Sequence, residues 1–587
     1  MDLHLIDAVA SAAERRAVDG VTGDVVPAGS GRVGHGGLRL SRSQRHLLLP
    51  ALHALQDAVG HIGPGGLGYI CERLSIPPAE AYGVATFYAL FAMEEREGPV
   101  AHVCDDMTCY RAGAAEVLTA LDGRRDVHRS PCLGLCERGP AVFFQVPGAS
   151  NRVLGPTDAA AIAAVLDGAP QPASAPIPHP APQMAAGIPT PLLARVRTVD
   201  PTSLDAYRAS GGFAALAAAA AMGAGAVLAE ISASRIRGRG GAAFPAAAKW
   251  EAVAAAEDPV RYVVCNADES EPGTFKDRVL LEEDPFAVIE GLAIAGLATG
   301  ADRGFVYIRG EYPLAEERVR GAAAEAWEAG LLGAAFGSTF EIEVRRGAGA
   351  YVCGEETALF NSIEGKRGEP RQKPPFPTQA GLFGKPTLVN NVETLANVPR
   401  IIAAGGAAFA AVGTADSTGT KLFSISGAVA AAGVYEVEFG ATIADLLALA
   451  GAGGSRVAAV LIGGAAGAFV GPDSLDIPLT FEGTRAAGIP LGSGSIIVFD
   501  EQTDFGTVVR RIARFFADES CGQCVPCRVG TVRQLEAVDR MIAGGDEAAV
   551  LADLDLVMRD ASICGLGQFA GSAVQSALAL GLIGSAT

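Results

Sequence analysis

From Leu47 to Gly60 the run LLLPALHALQDAVG places apolar residues three and four apart, and similar spacing returns near Ile70 and from Val84 to Phe91. This period predicts a small helical bundle over residues 1–97. From about Val100 the pattern changes to short apolar runs, AHVC and AVFFQV, separated by the helix-like GAAEVLTAL and DAAAIAAVL, which predicts an α/β unit over 98–168. A Pro-rich tract beginning at Ala169 has the composition of an extended spacer, set at 169–200. Beyond it RYVVCN, GFVYIRG and FEIEV alternate with Ala-rich helical segments, predicting a larger α/β domain over 201–415. LFSISG, VYEVEF and SIIVF, with the single helix TIADLLALAG, predict a β-rich domain over 416–500. Helical period then returns over 501–587, with Val508, Ile512, Phe515 and Phe516 on one face.

A chain of 587 residues has room for several such domains, and 49% hydrophobic against 19% charged residues excludes wholesale disorder. The formal charge of -19 argues against nucleic acid or bare anionic membrane as a partner. The uncharged stretch Ala209 to Ala229 is too rich in Ala and Gly for a membrane span and reads as buried or amphipathic helix. The opening MDLHLIDAVASAAERR lacks the basic leader and apolar run of a secretory signal, so the expected location is cytoplasmic. Lysine is scarce, and five of the six (Lys249, Lys276, Lys366, Lys373, Lys385, Lys421) fall between 249 and 385, which marks that stretch as a candidate anion site.

Eight of the eleven cysteines form two tetrads. Cys521, Cys524 and Cys527 in ESCGQCVPCRVG, with Cys564 in SICGLGQ, give three thiolates from one turn and a fourth from elsewhere. That spacing suits a 4Fe-4S cubane, with structural zinc as the alternative. Cys104 and Cys109 in CDDMTC, then Cys132 and Cys136 in CLGLC, place pairs of thiolates on two loops able to grip a 2Fe-2S centre. Cys71, Cys265 and Cys353 read as small buried hydrophobes.

Four segments of the 201–415 region carry ligand-type chemistry. IRGRGGAAFPAAAKW puts Gly238, Gly240 and Gly241 ahead of a helix bearing Lys249, so that backbone N–H groups can approach an anion. VVCNADESEPGTFKD ends a strand candidate in Asn266, Asp268, Glu269 and Glu271, the place where open α/β sheets bind ligands. GAGAYVCGEETAL adds Glu355 and Glu356, and KPPFPTQAGLFGKPTLVNNVETL adds Lys373, Phe376, Asn390 and Asn391.

Taken together, GRGGAAFP, CNADESEPGTFKD, GAGAYVCGEETAL, KPPFP, NNVETLANVP and ESCGQCVPCR with SICGLG resemble the NADH-binding flavoprotein (51 kDa-like) subunit of respiratory complex I and its soluble relatives, from about Ser203 to Gly581. The N-terminal part, with GVATFYALF and the spaced cysteine pairs, resembles the thioredoxin-like 2Fe-2S (24 kDa-like) subunit that partners it. Fused in one chain, the two are most similar to the beta, or diaphorase, subunits of soluble NAD-dependent formate dehydrogenases, with NAD-reducing hydrogenases and fused complex I subunits as the alternative. The resemblance implies a multidomain α/β protein: helical bundle, thioredoxin-like domain, Rossmann-like FMN/NAD domain, ubiquitin-like β-grasp domain and C-terminal helical bundle. It implies FMN at Gly238, Gly240, Lys249, Asn266, Asp268, Ser270, Tyr351, Gly354, Glu355, Asn390, Asn391 and Thr394. NAD(H) is expected over the flavin, with Glu271 and Glu356 toward the nicotinamide and Phe244, Lys373 and Phe376 along the adenine. Ala252 departs from the family, which commonly carries an aromatic there.

The implied chemistry passes electrons between NAD(H) and iron–sulfur clusters. A hydride carries two electrons and a cluster takes one, so a flavin must stand between them. The resemblance further implies a separate catalytic alpha subunit with a molybdenum or tungsten pterin and more iron–sulfur clusters, since nothing in this chain resembles a pterin or nickel site.

Overall fold

The computed structural model describes residues 8–23, 44–96, 98–170, 190–333, 340–452 and 456–584. It is a mixed α/β, multidomain arrangement built on three sheets. The first has the order β2-β1-β3-β4, from β1 (Val100–Cys104), β2 (Val127–Ser130), β3 (Val142–Gln145) and β4 (Arg152–Leu154), with only the β1–β2 pair parallel. The second is wholly parallel in the order β7-β6-β5-β8, from β5 (Tyr262–Ala267), β6 (Arg303–Ile308), β7 (Glu341–Arg346) and β8 (Thr387–Asn391). The third has the order β10-β9-β13-β11-β12, from β9 (Thr420–Gly427), β10 (Gly433–Glu438), β11 (Val457–Ile462), β12 (Ala468–Val470) and β13 (Ser495–Asp500). Only its β9–β13 pair is parallel.

The central parallel sheet is covered by the helix Pro285–Thr299, apolar on nearly every side and buried at every residue but Leu297. A helix without a polar face belongs inside a domain. It crosses the helix Val392–Ala404 so closely that a Cβ on Gly291 would lie 2.1 Å from Leu395 O, which explains the glycine. The buried Glu290 ties this helix to the segment ahead of it, accepting from Tyr207 Oη (2.6 Å), Phe213 N (2.9 Å) and Leu216 N (3.0 Å). Near the C-terminus, Val508, Ile512, Phe515 and Phe516 share the buried face of Phe505–Asp518.

Some expectations require correction. Ala209 to Ala229 is not one helix. Two helices, Ala214–Met222 and Ala224–Ser234, meet at 115°, because Gly223 between them takes φ +82°, outside the helical region. No single helix among the described residues is long and apolar enough to cross a membrane. Helical structure also stops short of Phe91: Pro78–Ala85 ends, and Ala89 N and Leu90 N donate instead to Gly349 O and Ala348 O (3.1 and 3.0 Å). The Asn390–Asn391 stretch, read as part of a ligand segment, is the end of strand β8. Of the expected spacer 169–200, residues 171–189 lie outside the described residues; further on, Leu192 and Leu193 are buried, their N–H groups donating to Glu436.

Candidate functional site

Chain order places the candidate site. Strand β5 comes first in its sheet, β6 and β7 extend it on one side and β8 is added on the other, so the strand order reverses between β5 and β8. At such a switch point the carboxyl ends of the strands leave a crevice for ligands. Cys265 pairs with Asn390 and Asn266 with Asn391, which brings the NADES and NNVET segments together at that end.

Asn266 Nδ2 donates to Gly354 O (2.8 Å) and its Oδ1 accepts from Asp268 N (3.1 Å), so one amide ties the 266–271 loop to the 351–354 turn. Asp268 Oδ1 accepts from Ser270 (3.3 Å), whereas its Oδ2 is buried with no hydrogen-bond partner. Burial pushes this carboxyl well above the usual range. A buried acceptor left without a donor is what a bound polar group would satisfy, and this one stands just after β5, where FMN is expected.

The glycine loop closes the other wall. Arg239 N donates to Thr394 Oγ1 (2.9 Å), and a Cβ on Gly240 would approach Asn391 Cβ to 3.0 Å. The helix Ala246–Ala254 follows with no side-chain cap, and its first N–H, that of Ala246, donates to Ile236 O (3.0 Å). Lys249, on its second turn, reaches Glu356 Oε2 (3.0 Å), and Lys373 reaches Glu355 Oε1 and Glu356 Oε1 (2.9 Å each). Burial works against ionisation of Glu356, but Lys249 and Lys373 outweigh it and hold the carboxyl below its ordinary range. Phe244 and Phe376 are 51% and 52% exposed, large apolar rings left open at the rim.

Not every expected contact is free for a ligand. Asn390 Oδ1 accepts from Trp250 Nε1 (2.9 Å). Asn391 Nδ2 donates to Asp277 (2.6 Å) while its Oδ1 caps the following helix at Glu393 N (3.0 Å). Glu355 Oε2 caps Thr357 N and Ala358 N (2.9 Å each). These side chains, with Thr394, brace the walls. Glu271 accepts from Tyr351 Oη (2.6 Å) and from Ala466 N of the third sheet's region (2.9 Å). Burial pushes its carboxyl up to about 7 against the pull of those two donors.

Both cysteine tetrads assemble. Cys104 ends β1, Cys109 lies on Met107–Arg111, and Cys132 and Cys136 flank the next loop. All four are buried, with Cys132 and Cys136 Sγ 3.4 Å apart. The neighbouring thiols of Cys104 and Cys136 pull Cys132 well below its ordinary range, while Cys104 and Cys136 are pushed up. The second tetrad, Cys521, Cys524, Cys527 and Cys564, lines one cleft, with Cys524 and Cys564 at the residues that precede two helices. Among the described residues no His, Cys, Asp or Glu group is placed to hold a single metal ion. Four thiols spread around a common cleft fit a multi-iron cluster.

Sequence reading passed over Arg278, Arg309 and Tyr312, which join the first tetrad to the crevice. Arg278 Nε donates to Gly134 O (2.9 Å), and Arg309 donates to both Cys132 O and Glu269 O (2.8 Å each). The available signal was that Arg309 directly follows β6, at the carboxyl end of the sheet.

The chain matches family models for the Nuo51 FMN-binding domain over residues 231–400, the NADH-ubiquinone oxidoreductase-F iron-sulfur binding region over 507–580 and the thioredoxin-like [2Fe-2S] ferredoxin over 38–168. It is 45% identical over 379 residues to the NADP-reducing hydrogenase subunit HndC of Solidesulfovibrio fructosivorans, covering 63% of this chain and 77% of that one. It is 37% identical over 553 residues to the NAD-reducing hydrogenase HoxS subunit alpha of Cupriavidus necator, covering 90% and 89%. Among solved structures, a chain of an air-oxidized NAD+-reducing [NiFe]-hydrogenase superposes with a TM-score of 0.79 at 35% identity, covering 91% of this chain and 92% of that one.

Proposed function

Because the chain belongs to the family of NADH dehydrogenase-type flavin and iron–sulfur subunits shared by NADH-quinone oxidoreductases and NAD-reducing hydrogenases, we propose that it exchanges electrons with NAD(H) on behalf of a separate catalytic subunit. It is an oxidoreductase whose cofactors are FMN, NAD, a 2Fe-2S and a 4Fe-4S centre. Bound FMN supplies the exchange between two-electron and one-electron carriers.

The chain's own residues position and exclude. The 238–241 loop, through the N–H groups of Gly240 and Gly241, and Lys249 hold the flavin phosphate, and Asn266, Asp268, Ser270 and Gly354 take the flavin's polar atoms. Phe244 and Phe376 stack the adenine, with Lys373 beside them. Glu271 and Glu356 frame the nicotinamide, and the loop at Ala466, closing on Glu271, keeps water from the hydride path. Cys104, Cys109, Cys132 and Cys136 ligate the two-iron centre, and Cys521, Cys524, Cys527 and Cys564 the four-iron one. The helical, thioredoxin-like, Rossmann-like, β-grasp and helical segments follow the order 1–97, 98–168, 201–415, 416–500 and 501–587.

The partner is taken to be a hydrogenase. The observation that carries this is likeness along the whole fused chain, 90% of it, to an NAD-reducing hydrogenase subunit. The formate dehydrogenase expected from sequence has no such specific support. Native purification followed by metal analysis tests the choice. Nickel with hydrogen-dependent NAD reduction supports it, molybdenum or tungsten with formate-dependent NAD reduction replaces it, and a lone chain with no NADH-dependent flavin bleaching overturns the proposal altogether.

A further inference from the structure

The two-iron loop and the nucleotide-facing loop are far apart in the chain, with Cys132 and Glu269 separated by 137 positions, yet one buried guanidinium touches both. Arg309, 3% exposed, donates through Nη1 to Glu269 O and through Nη2 to Cys132 O, each at 2.8 Å. Glu311 fixes its plane from the remaining side, accepting from Nη2 (2.9 Å) and Nε (3.3 Å). Tyr312 lies beneath it, with the guanidinium carbon 4.9 Å from the ring centroid, and its hydroxyl reaches Glu269 O (3.4 Å) and Glu269 Oε2 (3.2 Å).

The same tyrosine is packed hard against the cluster loop. A Cβ on Gly134, which has φ +66°, would fall 2.0 Å from Tyr312 Oη. The Glu269 carboxyl in turn accepts from Asp277 N (2.8 Å) and Arg278 N (2.9 Å), which leaves its carbonyl to be held by Arg309 and Tyr312. Two residues beyond it stands Glu271, so displacement of the Glu269 carbonyl would move the crevice wall. A planar guanidinium with several donors in fixed directions can satisfy two carbonyls and a carboxylate at once, whereas an ammonium of the same charge cannot reach all three in that geometry.

We propose that Arg309, seated on Tyr312, is a positioning residue that locks the Cys132–Cys136 loop to the 268–271 loop, so that each centre keeps its geometry only while the other loop is in place. The proposal rests on the functional reading above. It is tested in the full chain carrying its cofactors, with Arg309→Gln, Arg309→Lys and Tyr312→Phe. The readouts are the EPR g-values of the two-iron centre and the stopped-flow rate of flavin bleaching by NADH, with the 4Fe-4S signal and FMN content as controls.

Arg309→Gln and Arg309→Lys are both expected to shift the two-iron g-values and slow bleaching at least tenfold, with both controls unchanged. Tyr312→Phe, which keeps the ring, is expected to move both readouts in the same direction by a smaller factor. Recovery of both readouts in Arg309→Lys would show that charge rather than bridging acts, and overturns the proposal. So does a change confined to one centre. If Arg309→Gln fails to load its cofactors, Tyr312→Phe decides: a shift at both centres supports the clamp, and a shift at one or neither overturns it. A wild-type chain showing neither bleaching nor a two-iron signal overturns the functional reading and the clamp together, whereas a competent wild type with unaffected variants overturns the clamp alone.

Discussion

Tyr351 Oη donates to Glu271 Oε2 at 2.6 Å, while the backbone N–H of the same tyrosine donates to Glu519 Oε2 at 2.8 Å, two residues before Cys521. Its ring packs edge-on against Phe515, with centroids 5.0 Å apart. One residue thus joins the candidate nicotinamide side of the crevice to the helix that delivers the second cysteine tetrad. The hydroxyl favours the ionised form of Glu271, because it donates to a carboxylate. Tyr351→Phe should therefore raise the Glu271 carboxyl further above about 7. The expected outcome is an alkaline displacement of the pH midpoint for flavin bleaching by NADH, with FMN content preserved; an unmoved midpoint would separate Glu271 from the reaction.

Glu271→Gln tests the same group through stability. The folded protein holds this carboxyl near 7 against 4.5 for the free side chain, so between those values the native state binds the extra proton and stability falls as pH rises. The contribution is fully present below 4.5 and lost as pH passes 7. At about 1.36 kcal/mol per pH unit the ceiling is on the order of 3 kcal/mol. Glutamine cannot ionise and can still pair with Tyr351 and Ala466. Thermal melts from pH 5 to 8 should show the variant gaining on the wild type as pH rises, together with a larger change in nicotinamide turnover than in FMN content.

Cys564→Ala should abolish the 4Fe-4S EPR signal and leave flavin binding largely intact, because Cys564 precedes the short helix Gly565–Phe569 of the C-terminal bundle and belongs to none of the segments assigned to the flavin. Cys136→Ser should remove only the two-iron signal. Persistence of the four-iron signal at full intensity in the first variant would free Cys564 from the ligand set.

Gly291→Ala should destabilise the central domain by about 1–3 kcal/mol, the usual cost of overpacking, since the added methyl would meet Leu395 O at 2.1 Å. Differential scanning calorimetry of the full chain reads it; an unchanged melting temperature would mean that the two helices part freely.

Chemistry was more legible in the sequence than geometry. Seven cysteines declared their grouping by close spacing, as two pairs and a triplet, with Cys564 left as the remote fourth of the second set, and the run from Asn266 to Glu271 announced itself by a sudden change from apolar to polar. What stayed hidden depends on contacts between distant segments. Strand β8 was obscured because its Asn390 and Asn391 look like turn residues until pairing with β5 reveals the register. The bend at Gly223 broke a uniform Ala-rich stretch whose composition favours helix on both sides. Arg309 was marked only by its place just after β6, and nothing local named its partners, since Cys132 and Glu269 stand 177 and 40 residues away.

Glu393 offers the severest test of how the crevice is braced. It is wholly buried at the start of the helix Val392–Ala404, with Lys276 Nζ 2.9 Å, Lys421 Nζ 3.6 Å and Arg239 Nε 3.9 Å away, and its Oε1 accepts from Leu422 N on β9 (2.9 Å). Three basic side chains from three segments share this carboxylate, although burial pushes Lys421 down to about 7, and Asp277 is the further counter-charge at Lys276 (2.6 Å). Burial alone would raise the Glu393 carboxyl, but the cations outweigh it and hold it below its ordinary range, so it is ionised at neutral pH. Glu393→Gln keeps the acceptor for Leu422 N yet leaves the cations with a single carboxylate among them. Removing one member of a buried ionic set typically costs about 3–5 kcal/mol, because the remaining charge stays desolvated without compensation. Asp277 also holds Asn391 by its other oxygen (2.6 Å), so any shift of Lys276 toward it is transmitted to the crevice wall. The expected result is a loss of at least about 3 kcal/mol on denaturant unfolding, accompanied by weaker FMN retention on gel filtration. Glu393→Asp, which keeps the charge but shortens the reach, should recover part of both; a glutamine variant as stable as the wild type would show that the cations find other counter-charges.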